Sequence, residues 1–146
     1  MAKENEYTII VGCGRLGASI GGKISERKQD VCVIDKDKTA FRKLLGYYGG
    51  LTVVCNATDL EKLKDINIDK ATTLIAVTDD DSVNICVAQM AKKLFQVPKV
   101  VVRVYDKDKI TLVSNMDIDS ICPTQLSEKE IESYIRIGGE NHVEEK

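Results

Sequence analysis

Apolar residues in this chain follow two rhythms. Short continuous runs recur: Thr8-Ile9-Ile10-Val11, Val31-Cys32-Val33-Ile34, Leu51 to Cys55, Thr73 to Val77, Val100 to Val104 and Ile118 to Cys122. Runs of this length, unbroken by polar residues, predict strands of a parallel sheet that is covered on both faces. Between them, apolar residues return every three or four positions, the period of a helix with one buried side. Leu16, Ile20 and Ile24 mark a first helix over Leu16 to Glu26, with Gly17 and Gly21 on its sheet-facing side. Ala40, Phe41, Leu44, Leu45 and Tyr48 predict a second helix, capped by Asp37 and stopped by Gly49-Gly50. A short third helix carries Leu60, Leu63 and Ile66 behind Asp59 as its N-cap.

The longest helix has Val83, Cys86, Val87, Met90, Ala91, Leu94 and Phe95 as its expected buried stripe, leaving Ile85 and Ala88 on a second apolar face suited to another subunit. Another helix is expected from Lys107 to Ser114. At the end, Ser127 and Glu130 form a capping-box pattern, Leu126 and Ile131 a hydrophobic staple, and Gly138 a natural stop. The reading is one domain over residues 1–137, including an interaction helix over 127–137, followed by a polar tail over 138–146.

Composition narrows the class. With 146 residues, 43% hydrophobic and 30% charged, the chain is one ordinary globular domain. No run approaches the roughly 18 apolar residues of a membrane helix, and Met1 to Glu6 lack the apolar stretch of an export signal. A net charge of −2 gives no electrostatic reason to expect nucleic acid. The five cysteines lack metal-ligand spacing and stand with one histidine, so no metal site is expected. Four lie in or beside apolar runs, and Cys13 is the exception, inside a glycine turn.

That turn carries the chemistry. Gly12-Cys13-Gly14-Arg15-Leu16-Gly17 follows a strand and opens a helix, and Asp35 ends the next strand at about the spacing of a dinucleotide-binding fingerprint. Gly12 permits the turn, Gly14 admits a pyrophosphate, Gly17 allows close packing, and the N–H groups at the helix start bind phosphate oxygens. Arg15 stands beside the phosphate position. The predicted fold is therefore a doubly wound, Rossmann-like α/β sheet of six parallel strands in the order 3-2-1-4-5-6, with a ligand crevice between strands one and four.

Other residues at the strand ends have two readings each. Asp35 either accepts the hydroxyls of a ribose, disfavouring a 2′-phosphate, or caps the turn behind it; Lys36 and Lys38 temper the first reading. Asn56 and Ala57 lie where a base would sit, or form a ligand-free N-cap turn. Thr78 and Asp79 face the crevice from strand four, while Asp79-Asp80-Asp81 as a run reads as a solvated helix start. Arg103 interrupts an apolar strand and requires an anionic partner, a carboxylate or a nucleotide phosphate. No nucleophile stands with an evident base, and the single histidine, His142, is in the tail, so no catalytic residue is assigned.

Together, GCGRLG, VIDKD, NATD, TLIAVTDDDSVN, VVVRVYD and DIDSICPTQL resemble the TrkA-N or RCK N-terminal domain, also called KTN, across residues 7–137. The resemblance implies a cytosolic regulatory subunit, peripheral to the membrane, that binds NAD(H) or ATP, ADP or AMP beneath a potassium transporter or channel. It implies a homo-oligomer, a dimer that assembles into rings up to the octamer, whose last helix crosses to a neighbour. The family pattern Gly-Asp-Ala-Thr at the third strand is Cys55-Asn56-Ala57-Thr58 here, and the usual C-terminal ligand domain is not in the sequence, which raises the expectation of a second RCK-type chain as partner. The alternative function is an NAD-dependent oxidoreductase or a fragment of one.

Overall fold

A computed structural model describes residues 5–135. Six strands form one parallel sheet: β1 (Tyr7–Val11), β2 (Asp30–Asp35), β3 (Leu51–Val54), β4 (Thr73–Ala76), β5 (Lys99–Arg103) and β6 (Asp119–Ile121). Their order is β3-β2-β1-β4-β5-β6, as the alternation of runs predicts. Four α-helices connect or follow them: α1 (Arg15–Glu26), α2 (Leu60–Asp65), α3 (Asp81–Lys93) and α4 (Pro123–Tyr134). Among the described residues, no helix is long and apolar enough to cross a membrane.

The sheet has two buried faces because side chains alternate along each strand. Ile9 and Val11 point with Cys32, Ile34, Leu74 and Ala76 into the larger core, beneath α2 and α3. Ile10 points the other way with Val33, and Ala18 of α1 closes that side. Ile10 is in register with Val33 on one side and Ile75 on the other. The central strand is therefore covered on both faces, which fixes the ends of β1 and β4 from which the crevice opens.

Four elements differ from the sequence expectation. Over residues 40–48 the α-helix is replaced by a 3-10 helix, Lys38–Lys43, and Leu44 leaves it in an extended conformation. Phe41, Leu44 and Tyr48 still pack on the sheet, and the Tyr48 hydroxyl donates to the Leu51 carbonyl at 2.8 Å. Docking of these side chains outweighs the local helical period. The expected helix over 107–114 is likewise a 3-10 helix, Lys107–Leu112.

In α3 the buried face is rotated. Asn84, Ile85, Val87, Ala88 and Ala91 are buried, while Cys86 and Leu94 are exposed. The expected second face, Ile85 and Ala88, thus joins Val87 and Ala91 of the expected stripe in the core, with Val83, Met90 and Phe95 packed at its edge. The last helix starts at Pro123, with Cys122 as N-cap, and places Ser127 inside it rather than at its cap. Proline at the first helical position has its φ preset and no N–H to satisfy, so it sets the start ahead of the Ser127 pattern. No residue of α4 is buried, and Leu126, Ile131 and Tyr134 are exposed. The expected stop at Gly138 and the tail lie outside the described residues.

Candidate functional site

Where β1 and β4 diverge, the connections to α1 and α3 leave in different directions and open a cavity of about 420 Å³. Open parallel sheets bind ligands at this kind of switch point, beyond the carboxyl ends of the strands. The cavity is lined by Gly12, Cys13 and Gly14 from the first turn, by Asp35 to Asp37 from the second, and by Asn56 and Ala57 from the third. Thr78, Asp79 and Asp80 close it from the fourth.

Each glycine of the first turn has its own steric reason. Gly12 adopts φ +106°, and a Cβ there would meet the backbone of Val77 and Thr78 at 2.9 Å. Gly17 lies against the carbonyl oxygen of Gly12, where no Cβ fits. A Cβ on Gly14 would meet nothing within 4 Å. The first two positions are thus closed by the fold, while Gly14 borders open space.

Gly14 is the N-cap of α1, and no side chain caps that helix. The turns after β2 to β5 are built differently. Asp37 caps the 3-10 helix behind β2, Asp59 caps α2, Asp80 caps α3, and Asp106 caps the 3-10 helix behind β5. Each carboxylate accepts backbone N–H groups that a helix start leaves unpaired. At α1 no side chain takes those N–H groups, and together with the positive end of the helix dipole they can accept an anion.

Asp35 straps two turns together. Its Oδ2 accepts the Cys13 N–H at 2.8 Å and its Oδ1 accepts the Asp37 N–H at 2.8 Å. The capping reading of this residue is therefore realised. A carboxylate oxygen has more than one acceptor site, so ribose hydroxyls retain somewhere to donate. Cys13, the one cysteine placed in the glycine turn rather than an apolar run, is fully buried. Burial and then the charge of Asp35 push its thiol pKa up, against a smaller opposing effect of Lys43. An activated thiolate needs the reverse. Asp37 is held below the usual carboxylate range by hydrogen bonds from Thr39.

Arg103 does not line the cavity; it braces the loop behind it. Its Nη2 donates to the carbonyls of Val77 at 2.9 Å and Thr78 at 3.2 Å, and its guanidinium lies 5.0 Å from the Tyr105 ring centroid. Its carboxylate partner, Asp79, is 3.9 Å away and fully exposed. Two carbonyls thus supply most of what the sequence reading sought from an anion. Among the other expected site residues, Arg15 and Leu16 are exposed on the first turn of α1, and Gly17 is buried beneath it. Lys36 reaches the cavity rim.

A family comparison decides the affiliation of this arrangement: the profile of the TrkA-N domain matches residues 8–123. The chain belongs to the TrkA-N domain family. This TrkA-N domain is 31% identical over 115 residues to the Trk system potassium uptake protein TrkA of Streptomyces coelicolor, covering 79% of this chain and 52% of that protein. It is 31% identical over 103 residues to a TrkA homolog of Pyrococcus abyssi, covering 70% of this chain and 45% of the homolog. The chain spans about half the length of these curated relatives.

Among solved structures, the TrkA-N domain of the inner membrane protein ybaL from Escherichia coli superimposes with a TM-score of 0.78 at 16% identity, covering 92% of this chain and 100% of that one. The GsuK channel bound to NAD superimposes with a TM-score of 0.74 at 21% identity, covering 91% of this chain and 24% of that one. GsuK bound to ADP does so with a TM-score of 0.74 at 20% identity, covering 92% and 35%. At these identities the structures establish the fold of the TrkA-N domain.

Several residues around the cavity had no assigned ligand role in the sequence reading. Lys43, Ala40, Cys55, Val77 and Val83 line it, and none carries a local signal: Lys43 falls on a stretch that reads as a helix, and Val77 simply ends an apolar run. Asn84 was also missed. It is fully buried and holds the Thr78 loop from below. A wider groove of about 1050 Å³ lies at the opposite end of the sheet. The C-terminal ends of α1 and α2 border it there, and helix C-termini present carbonyls that repel phosphate.

Proposed function

We propose that this chain is a cytosolic regulatory subunit that binds an adenine nucleotide, NAD(H) or ATP, ADP or AMP, and gates a membrane potassium transporter or channel. The observation that carries the reading is the α1 N-terminus: uncapped by any side chain, opened by Gly14 with free space around its Cα, and placed beside Asp35, which holds the Cys13 N–H of the same turn. In this reading the phosphates lie on the N–H groups of Gly14 to Gly17 with Arg15 beside them, and Asp35 takes the ribose. The base lies between Lys36 and the Asn56-Ala57 turn, and Thr78 and Asp79 meet the far end of the ligand.

The family, whose TrkA members are potassium uptake proteins, supports the transport context. NAD and ADP in the related GsuK structures support the ligand class. The polar groups around the cavity are committed to structure, Asp35 as strap and Asp80 as cap, which favours binding over turnover. A regulatory ligand acts by binding two assembly states unequally. The apolar side chains displayed by α4 suit a homo-oligomer, dimer or ring, as the element through which that difference is transmitted. A second RCK-type chain is the other candidate for that surface.

Calorimetric titration with ADP, ATP and NADH tests the reading. Saturable binding that weakens several-fold in Arg15→Ala is expected. Absence of binding by all three nucleotides would overturn it.

A further inference from the structure

The two edges of the sheet are built differently. At one edge β6 carries Asp119, ion-paired with Lys99 at 2.8 Å, and runs directly into α4. A charged side chain is a usual guard of an open strand edge. At the other edge β3 reads Leu-Thr-Val-Val, without charge or proline. Among the described residues no strand lies beyond it. The Cys55 N–H donates to the Asp35 carbonyl at 3.1 Å, so the odd-numbered residues here bond toward β2, and Thr52 and Val54 turn their N–H and C=O groups outward.

Apolar side chains surround that edge. Leu51 and Val54 are exposed, as are Leu45 and Tyr47 ahead of the strand and Leu60 behind it. Leu44 to Thr58 is a stretch of 15 residues without a charge, the longest in a chain that is 30% charged. An edge meant for a basic or acidic segment would carry the opposite charge. An edge that meets its own copy across a two-fold axis must avoid charge, because the axis brings like residues together.

We infer that β3 pairs antiparallel with β3 of a second copy, joining two sheets into one across a two-fold axis. The outward groups set the register. Thr52 and Val54 of one copy exchange N–H···O bonds with Val54 and Thr52 of the other, and the two Val53 residues face each other as a non-hydrogen-bonded pair. A shift of two residues either way would draw in Gly50 or Asn56 from outside the strand, and the Asn56 carbonyl already holds the Asp59 N–H at 3.0 Å. Because α4 begins at the opposite edge, this pairing leaves the α4 surface free for another neighbour, and the two contacts together link copies in series.

Oxidative crosslinking tests the pairing, since a disulfide captures a small contact that is weak by itself. Cys86, the exposed cysteine, is replaced by serine throughout. Facing residues of a non-hydrogen-bonded pair stand ~4.5 Å apart at Cα, within reach of a disulfide. Cysteine, a small hydrophobe, suits the half-buried site of Val53. Val53→Cys is expected to give a covalent dimer, whereas Asn56→Cys, roughly 20 Å from its mate in this register, is not. Adding Thr52→Lys charges the exposed edge and should lower the Val53→Cys yield about fivefold with the thermal midpoint unchanged. Tyr134→Glu on α4 should leave the yield in place, which separates this contact from the α4 surface. A yield that falls with Tyr134→Glu and not with Thr52→Lys assigns the contact to α4 and overturns the β3 pairing. Equal dimer from Asn56→Cys overturns the register and the pairing with it. No dimer from Val53→Cys leaves the edge to a strand of another protein and overturns self-pairing.

Discussion

Asn84 holds Thr78 by both its backbone and its side chain. The Asn84 Oδ1 accepts the Thr78 N–H at 2.9 Å and its hydroxyl at 2.6 Å, while Nδ2 donates to the Thr78 carbonyl at 3.0 Å. The remaining proton of Nδ2 goes to the Arg103 carbonyl at 2.9 Å. A fully buried amide thus has every donor and both acceptor positions in use, and the ends of β4 and β5 are pinned to α3 beside the cavity.

Removing that amide leaves several buried polar groups without partners. Asn84→Ala is expected to cost about 2–4 kcal/mol, read as a lower urea midpoint with an unchanged slope. Asn84→Asp should be worse, since it replaces the one nitrogen that donates to two carbonyls with a carboxylate oxygen facing both. A midpoint within error of the parent in both variants would show that the loop is held elsewhere.

The glycines of α1 and its turn form a graded series. Gly17→Ala pushes a methyl into the Gly12 carbonyl and should destabilise by about 3 kcal/mol. At Gly22 nothing lies within 4 Å of an added Cβ, and alanine there should stabilise the helix by about 0.5–1 kcal/mol. Gly14→Ala should leave the melting temperature nearly unchanged and weaken nucleotide binding, the signature of a position kept open for a ligand. Thermal melts alongside calorimetry distinguish the three.

Stability should fall on the alkaline side. Burial raises the Cys32 thiol from 9.0 to about 11, so between those values the unfolded chain has lost a proton that the folded chain still binds. With fewer protons bound in the unfolded state, the slope of stability with pH is negative. The window opens near pH 9 and closes near pH 11, with Cys32 alone accounting for about 1 kcal/mol by pH 10. Tyr7 and Tyr48, also raised by burial, extend the loss above pH 10. Urea unfolding at pH 8 and pH 10 measures it, and Cys32→Ala should flatten the difference.

Arg103 and Asp79 should behave unequally despite their pairing. Asp79 is fully exposed at 3.9 Å, so Asp79→Asn is expected to change stability by less than about 0.5 kcal/mol. Arg103→Met removes the donor to two carbonyls and should cost about 1–2 kcal/mol. Neither value should depend strongly on salt. A loss in Asp79→Asn equal to that in Arg103→Met would make the ion pair the dominant contact.

The strands, their order and the glycine turn were legible because each is written locally: an apolar run, a breaker, a small residue where backbones meet. Asp35 was legible as a position and as the cap of the turn behind it, but not as a strap, because the Cys13 N–H that it also holds arrives from another turn. Asn84 was not legible, because a buried polar residue looks like a surface residue until its distant partners are known. Its absence from the expected stripe of α3 also displaced the centre of the buried face. At α4 the Ser127 pattern announced a helix start, and the helix begins a turn earlier because Pro123, directly after β6, is already set for its first position. The helical period over residues 40–48 failed for a related reason, since docking of Phe41 and Tyr48 asks for a bent path that no regular helix provides.

The aspartates that cap the turns after β2, β3, β4 and β5 stand in for bound anions. At these four places the chain carries its own ligand covalently. The turn after β1 interrupts the series, with a glycine where the others have a carboxylate. Gly14 sits at an ordinary extended φ of −84°, which an aspartate adopts readily. A single Gly14→Asp change would therefore complete the set and make the domain its own permanent occupant, a folded protein deaf to nucleotide.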